Sequence, residues 1–153
     1  MSVPEPLDKQ RIRRQFARAA ASYDASASVS REICSRLLER LDLVRMTPTQ
    51  ILDLGSGTGL AAGALARRYS KARVLALDSC LPMLRQRGRT QGGSEWLRAM
   101  VKRTSIHKLC ADFERLPVRT GSVDLAASNL ALHWSIAPEA AMREAHRVLR
   151  RGG

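Results

Sequence analysis

Hydrophobic and polar positions along the chain follow two different periods. Near the start, Ile12, Phe16, Ala19 and Tyr23 recur at helical spacing behind Asp8, which predicts a capped helix. Ile33, Leu37, Leu41 and Val44 mark the apolar face of a second helix over about 29–44. The pattern then shortens: Ile51, Leu52 and Leu54 around Asp53 predict a brief buried strand, followed by a helix from Leu60 to Tyr69. Arg73 to Leu77 predicts a second strand that ends in Asp78, and Pro82 suits the first turn of a helix that fails near Gly88. His107 to Ala111 predicts a third strand, closed by Asp112 and Phe113, and Glu114 to Pro117 a turn. Val123 to Ser128 predicts a fourth strand closed by Asn129, and Pro138 opens a last helix that buries Met142, Ala145 and Leu149. Strands alternating with helices predict an α/β domain with a parallel sheet. Two helices in residues 1–47 would lie as a lid over the sheet-bearing residues 48–153.

The join between the first strand and its helix is Gly55-Ser56-Gly57-Thr58-Gly59. Glycine at every second position permits a left-handed turn and lets a ligand approach the backbone. The helix behind it aims free N–H groups into the same space. Asp78 follows Gly57 by 21 residues, a spacing that suits a carboxylate accepting hydrogen bonds from a ribose diol. Position 60 is Leu60, where the dinucleotide fingerprint has glycine, so an NAD reading ranks second. Asp112 and Phe113 at a strand end suit an adenine, the acid accepting from its amine and the ring packing on its face. They equally suit a turn acid and a core aromatic; as a third feature aimed at one crevice, the ligand reading is preferred.

Composition narrows the setting. The 153 residues fit one domain, with 44% hydrophobic and 26% charged residues. Lys and Arg number 26 against 14 Asp and Glu, a formal charge of +12 that favours acidic partners or, more plainly, a solvated basic face. Part of it falls in Arg85 to Arg103, a candidate basic surface insertion with six basic residues and one acid. Three cysteines without Cys-x-x-Cys spacing fit a reducing, cytoplasmic setting and argue against a zinc site. No apolar run approaches the length of a membrane span.

Several stretches together resemble one family. Asp53-Leu54-Gly55-Ser56-Gly57-Thr58-Gly59 is similar to motif I of the class I S-adenosylmethionine-dependent methyltransferases. Phe16-Ala17-Arg18-Ala19-Ala20-Ala21-Ser22-Tyr23-Asp24, Leu81-Pro82-Met83-Leu84, Asp112-Phe113-Glu114-Arg115-Leu116-Pro117 and Ser128-Asn129-Leu130-Ala131-Leu132-His133-Trp134 narrow the resemblance. It points to the malonyl-acyl-carrier-protein O-methyltransferases of biotin biosynthesis. The resemblance implies a Rossmann-like sheet in the order 3-2-1-4 and methyl transfer from S-adenosylmethionine to the free carboxylate of a malonyl thioester, on acyl carrier protein or coenzyme A. It also implies residue roles: Asp53, Gly55, Ser56, Gly57, Gly59 and Met83 beside the cofactor, Asp78 on the ribose, Asp112 and Phe113 on the adenine, and Asn129 closing the site. Tyr23 would be the active-site tyrosine, with His133 and Trp134 toward the substrate.

The basic surface then suits an acidic carrier protein. His133 stands where the family more often has glutamine, and Arg151 where proline is usual. Family members continue past the Arg-x-Gly-Gly turn, so the chain reads as an N-terminal portion, and as a monomer. Two other readings are another small-molecule methyltransferase on the same scaffold and a non-catalytic remnant. The Asn/Asp-Pro-Pro-aromatic motif of base-amine methyltransferases is absent from Ser128-Asn129-Leu130-Ala131, which argues against nucleic acid as substrate.

Overall fold

The computed structural model describes residues 8–86 and 105–153. In chain order, its elements are α1 (Lys9–Ala19), α2 (Tyr23–Ser26), α3 (Ser28–Arg40), β1 (Gln50–Leu54), α4 (Leu60–Arg68) and β2 (Arg73–Asp78). They continue with α5 (Leu81–Arg85), β3 (Ser105–Cys110), β4 (Leu125–Ala127) and α6 (Pro138–Val148), and short 3-10 turns occupy Leu41–Leu43 and Leu132–Trp134. The four strands form one parallel sheet in the expected order β3-β2-β1-β4. Most of the candidate basic insertion at 85–103 lies outside the described residues.

β1 is apolar almost throughout because both of its faces are covered. Ile51 points to a cluster with Ala62, Leu65, Val74 and Ala76, closed from outside by Leu38 and Leu41. Leu52 and Leu54 point to the opposite cluster with Leu77, Leu116, Val123 and Val148, against which Ala145 and Leu149 pack. The start of β1 is pinned to the start of β4 by Asp124, which accepts from Thr49 N and Oγ1 at 2.8 Å each and from Gln50 N at 2.9 Å. Burial opposes ionisation of that carboxyl, but these bonds and Arg150 hold it down to about 2. On the outer side of β4, Leu149 forms a parallel bridge to Val123. Among the described residues, no helix is long and apolar enough to cross a membrane.

Four expectations need correction. The helix over 29–44 stops at Arg40, and its inward side is Cys34, Leu38 and Leu41; Ile33 is 36% exposed and Val44 51%. The stripe that packs on the core runs through Cys34, Leu38 and Leu41, one position on from Ile33, so Ile33 is rotated away from it. Met142 is likewise 58% exposed, because α6 turns Ala141 and Val148 inward. Tyr23 does not continue the first helix but begins the separate short α2. The fourth strand is confined to Leu125–Ala127.

α1 is capped as expected, Asp8 Oδ1 accepting from Gln10 N at 2.8 Å. None of its own residues is fully buried, so it is held at its end and through one stripe. Phe16, Ala17 and Tyr23 pack on Ala20, Cys80 and Met83, which lays the N-terminal segment across α5 and the carboxyl end of β2.

Leu65, fully buried, and Met142, exposed on α6, are of similar size but sit in opposite environments. Leu65→Ala should cost about 2–5 kcal/mol of unfolding free energy, and Met142→Ser less than about 0.5 kcal/mol. Urea titration of both variants checks the contrast.

Candidate functional site

A cleft opens at the carboxyl ends of β1, β2 and β4, roofed by the N-terminal helices. Asp53, Gly55, Ser56, Gly57, Asp78, Met83, Phe113 and Asn129 line it from the sheet, and Tyr23, Phe16 and Trp134 line it from the lid side. This is the crevice predicted for open parallel sheets, outside the strand tips.

The floor is the glycine-rich turn. Gly55, Gly57 and Gly59 have φ of +69°, +57° and +99°, the left-handed region that side chains avoid. At Gly55 the restriction is also steric, since a Cβ there would lie 2.1 Å from the Ala131 Cβ. The turn is anchored to β2 twice: Ser56 N donates to Leu77 O at 2.9 Å, and Gly57 N donates to Asp78 Oδ2 at 2.9 Å. Asp78 Oδ1 accepts from Cys80 N at 2.7 Å. Asp78 is therefore beside the glycine loop, as its spacing predicted. Burial raises its carboxyl above the usual range, against the pull of these backbone donors.

Asp53 lies at the heart of the site. It is fully buried at the end of β1, and neither oxygen has a hydrogen-bond partner. Desolvation pushes its carboxyl up to about 7, against the weaker pull of the Ala62 backbone amide. Ser56 Oγ and Asn129 Oδ1 are also buried without partners, and all three residues face the cleft. Unmet buried acceptors are rare and costly, and three around one cleft fit a ligand that brings donors and positive charge.

The lid closes the cleft with aromatic rings and ion pairs. Phe16 meets Trp134 edge-on at 5.3 Å and Tyr23 at 6.2 Å, while His133 sits against Trp134 at 4.9 Å but does not line the cleft. Lys9 Nζ donates to Asp112 Oδ2 at 2.5 Å and also to Glu114, and Arg13 approaches Asp112 at 3.6 Å. Asp112 is thus engaged with the lid and stands outside the cleft lining, whereas its neighbour Phe113 is in it. Gly59, likewise, caps α4 without lining the cleft.

Glu114 and Thr58 lie within stretches that carry the resemblance, but neither had an expected role. Glu114 Oε1 accepts from Ser135 Oγ at 2.7 Å, Ile136 N at 2.9 Å and Ala137 N at 3.2 Å, fixing the loop that carries Trp134. Burial opposes its charge, yet Lys9, Ser135 and the two amides hold its carboxyl down to about 2. Thr58 Oγ1 donates to Asp24 Oδ1 at 2.6 Å, tying the loop to α2. Nothing at the level of spacing marks either residue, because both act across distant parts of the chain. Among the described residues, no group of His, Cys, Asp and Glu is arranged to hold a metal ion.

Comparison with known proteins adds relatives. A family described as "Methyltransferase domain" matches residues 52–153. A malonyl-[acyl-carrier protein] O-methyltransferase of Laribacter hongkongensis is 47% identical over 146 residues, covering 95% of this chain and 49% of the relative. The protein of that name from Methylovorus sp. is 42% identical over 147 residues, covering 96% and 49%. The chain thus spans about half the length of the curated relatives it matches. The crystal structure of a SAM-dependent methyltransferase from Aquifex aeolicus superposes with a TM-score of 0.63 at 16% identity, over 88% of this chain and 67% of that one, a likeness of fold.

The buried carboxyl sets a pH signature. Asp53 keeps its proton in the folded state up to about pH 7, while the unfolded chain releases it near 3.8. Its contribution to stability is therefore full below pH 3.8 and falls as pH rises to 7. At about 1.4 kcal/mol per unit, the loss is on the order of 4 kcal/mol. Asp53→Asn should flatten that part of the stability profile; chemical denaturation at pH 4, 5.5 and 7 measures it.

Proposed function

Since residues 52–153 carry its match, the chain belongs to the methyltransferase-domain family, and we propose that the cleft is an S-adenosylmethionine site serving carboxyl O-methylation of malonyl-acyl carrier protein. The observation that carries this reading is the set of buried acceptors without partners: both oxygens of Asp53, Ser56 Oγ and Asn129 Oδ1. S-Adenosylmethionine fits that set, since its amino-acid end carries an ammonium and its sulfur a positive charge.

The residues divide the work by chemistry. Asp53 would take the ammonium, which favours the ionised form of a carboxyl that burial raises to about 7. Asp78, already anchored by Gly57 N and Cys80 N, keeps lone pairs for the ribose hydroxyls. Phe113 offers a ring to the adenine, and Asp112 is the acid beside it, shared with Lys9. Asn129, whose Nδ2 donates to Ser30 O at 3.0 Å, has its carbonyl oxygen left for the ligand.

When bound, the cofactor supplies an activated methyl group on a sulfonium. The rest of the reaction asks little of the protein in acid–base terms, because a malonyl carboxylate is ionised at neutral pH and needs no general base. What the chain must do is align the carboxylate and exclude water. Tyr23, Phe16 and Trp134 at the mouth suit that task, with the Tyr23 hydroxyl positioning the carboxylate and His133 beside Trp134 on the substrate side. The names of the relatives support the malonyl thioester as substrate, and the excess of basic residues suits an acidic carrier protein as its bearer over free malonyl-coenzyme A.

Calorimetric titration with S-adenosylhomocysteine tests the site. Asp78→Ala should weaken binding by roughly 1.5–3 kcal/mol, the loss of bonds to a charged acceptor. Unchanged affinity would place the ribose elsewhere. Transfer of labelled methyl from S-adenosylmethionine to malonyl-acyl carrier protein, and less to malonyl-coenzyme A, tests the substrate.

A further inference from the structure

α2 is only four residues long, yet it presents Tyr23 to the cleft. So short a helix does not hold itself in place. Its neighbours on the chain give little help: Ser22 makes no side-chain cap, and α3 begins after the single residue Ala27. The ring of Tyr23 meets Phe16, and both pack against Ala20, Cys80 and Met83. Those apolar contacts reach α5 and the end of β2; a directional bond to the glycine-rich turn must come from elsewhere.

It comes from Asp24. One carboxylate oxygen accepts the Thr58 hydroxyl at 2.6 Å, and the backbone carbonyl accepts Arg31 NH1 at 2.6 Å. Thr58 is buried between Gly57 and Gly59, so its own position is fixed by the left-handed turn. A charge-assisted bond to a buried hydroxyl is short, directional and strong for its kind. The second link across the cleft, Asn129 Nδ2 to Ser30 O, enters the same lid segment from the other side, at the tip of β4. Residues 23–30 are therefore held at both ends, by the glycine-rich turn and by the end of the fourth strand.

We propose that Asp24 is the positioning residue for Tyr23: by taking the Thr58 hydrogen bond it ties the aromatic lid to the glycine-rich turn, so that lid and turn close on a ligand as one unit. The inference rests on the S-adenosylmethionine reading only for the identity of that ligand. Ordering of the turn by a bound molecule would be transmitted through Thr58 to Asp24 and one residue further to Tyr23.

Hydrogen exchange on the ligand-free full chain tests the tie. Thr58→Val and Asp24→Ala should raise exchange at the amides of residues 23–27 about tenfold while leaving β1 and β2 unchanged. Thr58→Ser and Asp24→Asn, which keep a donor and an acceptor, should return it to within about twofold of the parent. Equal exchange in all five proteins, or no rescue by either conservative variant, overturns the proposal. In a second arm, S-adenosylhomocysteine should slow exchange at 23–27 in the parent protein and bind Thr58→Val at least about fivefold more weakly. If that probe binds none of the proteins while the ligand-free pattern holds, the cofactor reading fails and the Asp24 tie stands. If it binds Thr58→Val as tightly as the parent and slows the lid equally, the coupling of lid to turn is refuted.

Discussion

The bond from Gly57 N to Asp78 Oδ2 is the constraint on which the site depends. A turn of alternating left-handed glycines has no side chains to define it, so its shape must be imposed from outside. Asp78 does this from the next strand, with Ser56 N bonded to Leu77 O one residue earlier. The parallel register brings Leu54 opposite Leu77, which places the end of β1 and the acid at the end of β2 side by side. Everything the cleft offers a ligand is arranged around that junction: the buried Asp53 just before it, Thr58 just after it, Asn129 across from it.

The lid is attached by a different kind of force. Lys9 bridges Asp112 and Glu114, and Arg13 stands near Asp112, so α1 is anchored by charge at its N-terminal turn and by aromatic packing farther on. Pairs as exposed as Lys9 and Asp112 contribute little stability on their own, typically below about 1 kcal/mol. Their effect is orientation. Glu114 converts it into a site property, because the same carboxylate that receives Lys9 fixes Ser135, Ile136 and Ala137, and with them Trp134 above Phe16. A lid so held can be ordered without being costly to move.

Much of this was legible from the chain because it is local. The apolar run at 51–54, the glycines and the acid 21 residues after Gly57 follow from spacing, the strand order 3-2-1-4 from the family resemblance, and the structure has them. Helix faces were less legible. Ile33 and Met142 are large apolar residues left outside, while Cys34 and Ala141 are small ones turned inward. Size ranks a residue's preference for burial, but the space between helix and sheet decides which face fits. Least legible were the cross-chain bonds. Thr58 to Asp24 joins residues 34 apart, and Glu114 to Ala137 joins residues 23 apart; nothing in either local pattern announces the partner.

The carboxylates themselves separate scaffold from site. Asp124 and Glu114 each collect three or more donors and are held ionised, down to about 2, despite burial. Their hydrogen bonding is complete, and what they do is join elements. Asp53 is more deeply buried than either, has only the Ala62 amide to oppose its desolvation, and is driven up to about 7. A fold selected for stability alone would replace such a residue by an apolar one of similar size, since an unpaired buried carboxyl only subtracts. It stands at the tip of the central strand, facing the same cleft as Ser56 Oγ and Asn129 Oδ1, where the proposed cationic ligand would meet it. A cationic ligand that favours the ionised form of Asp53 would offset part of that cost on binding.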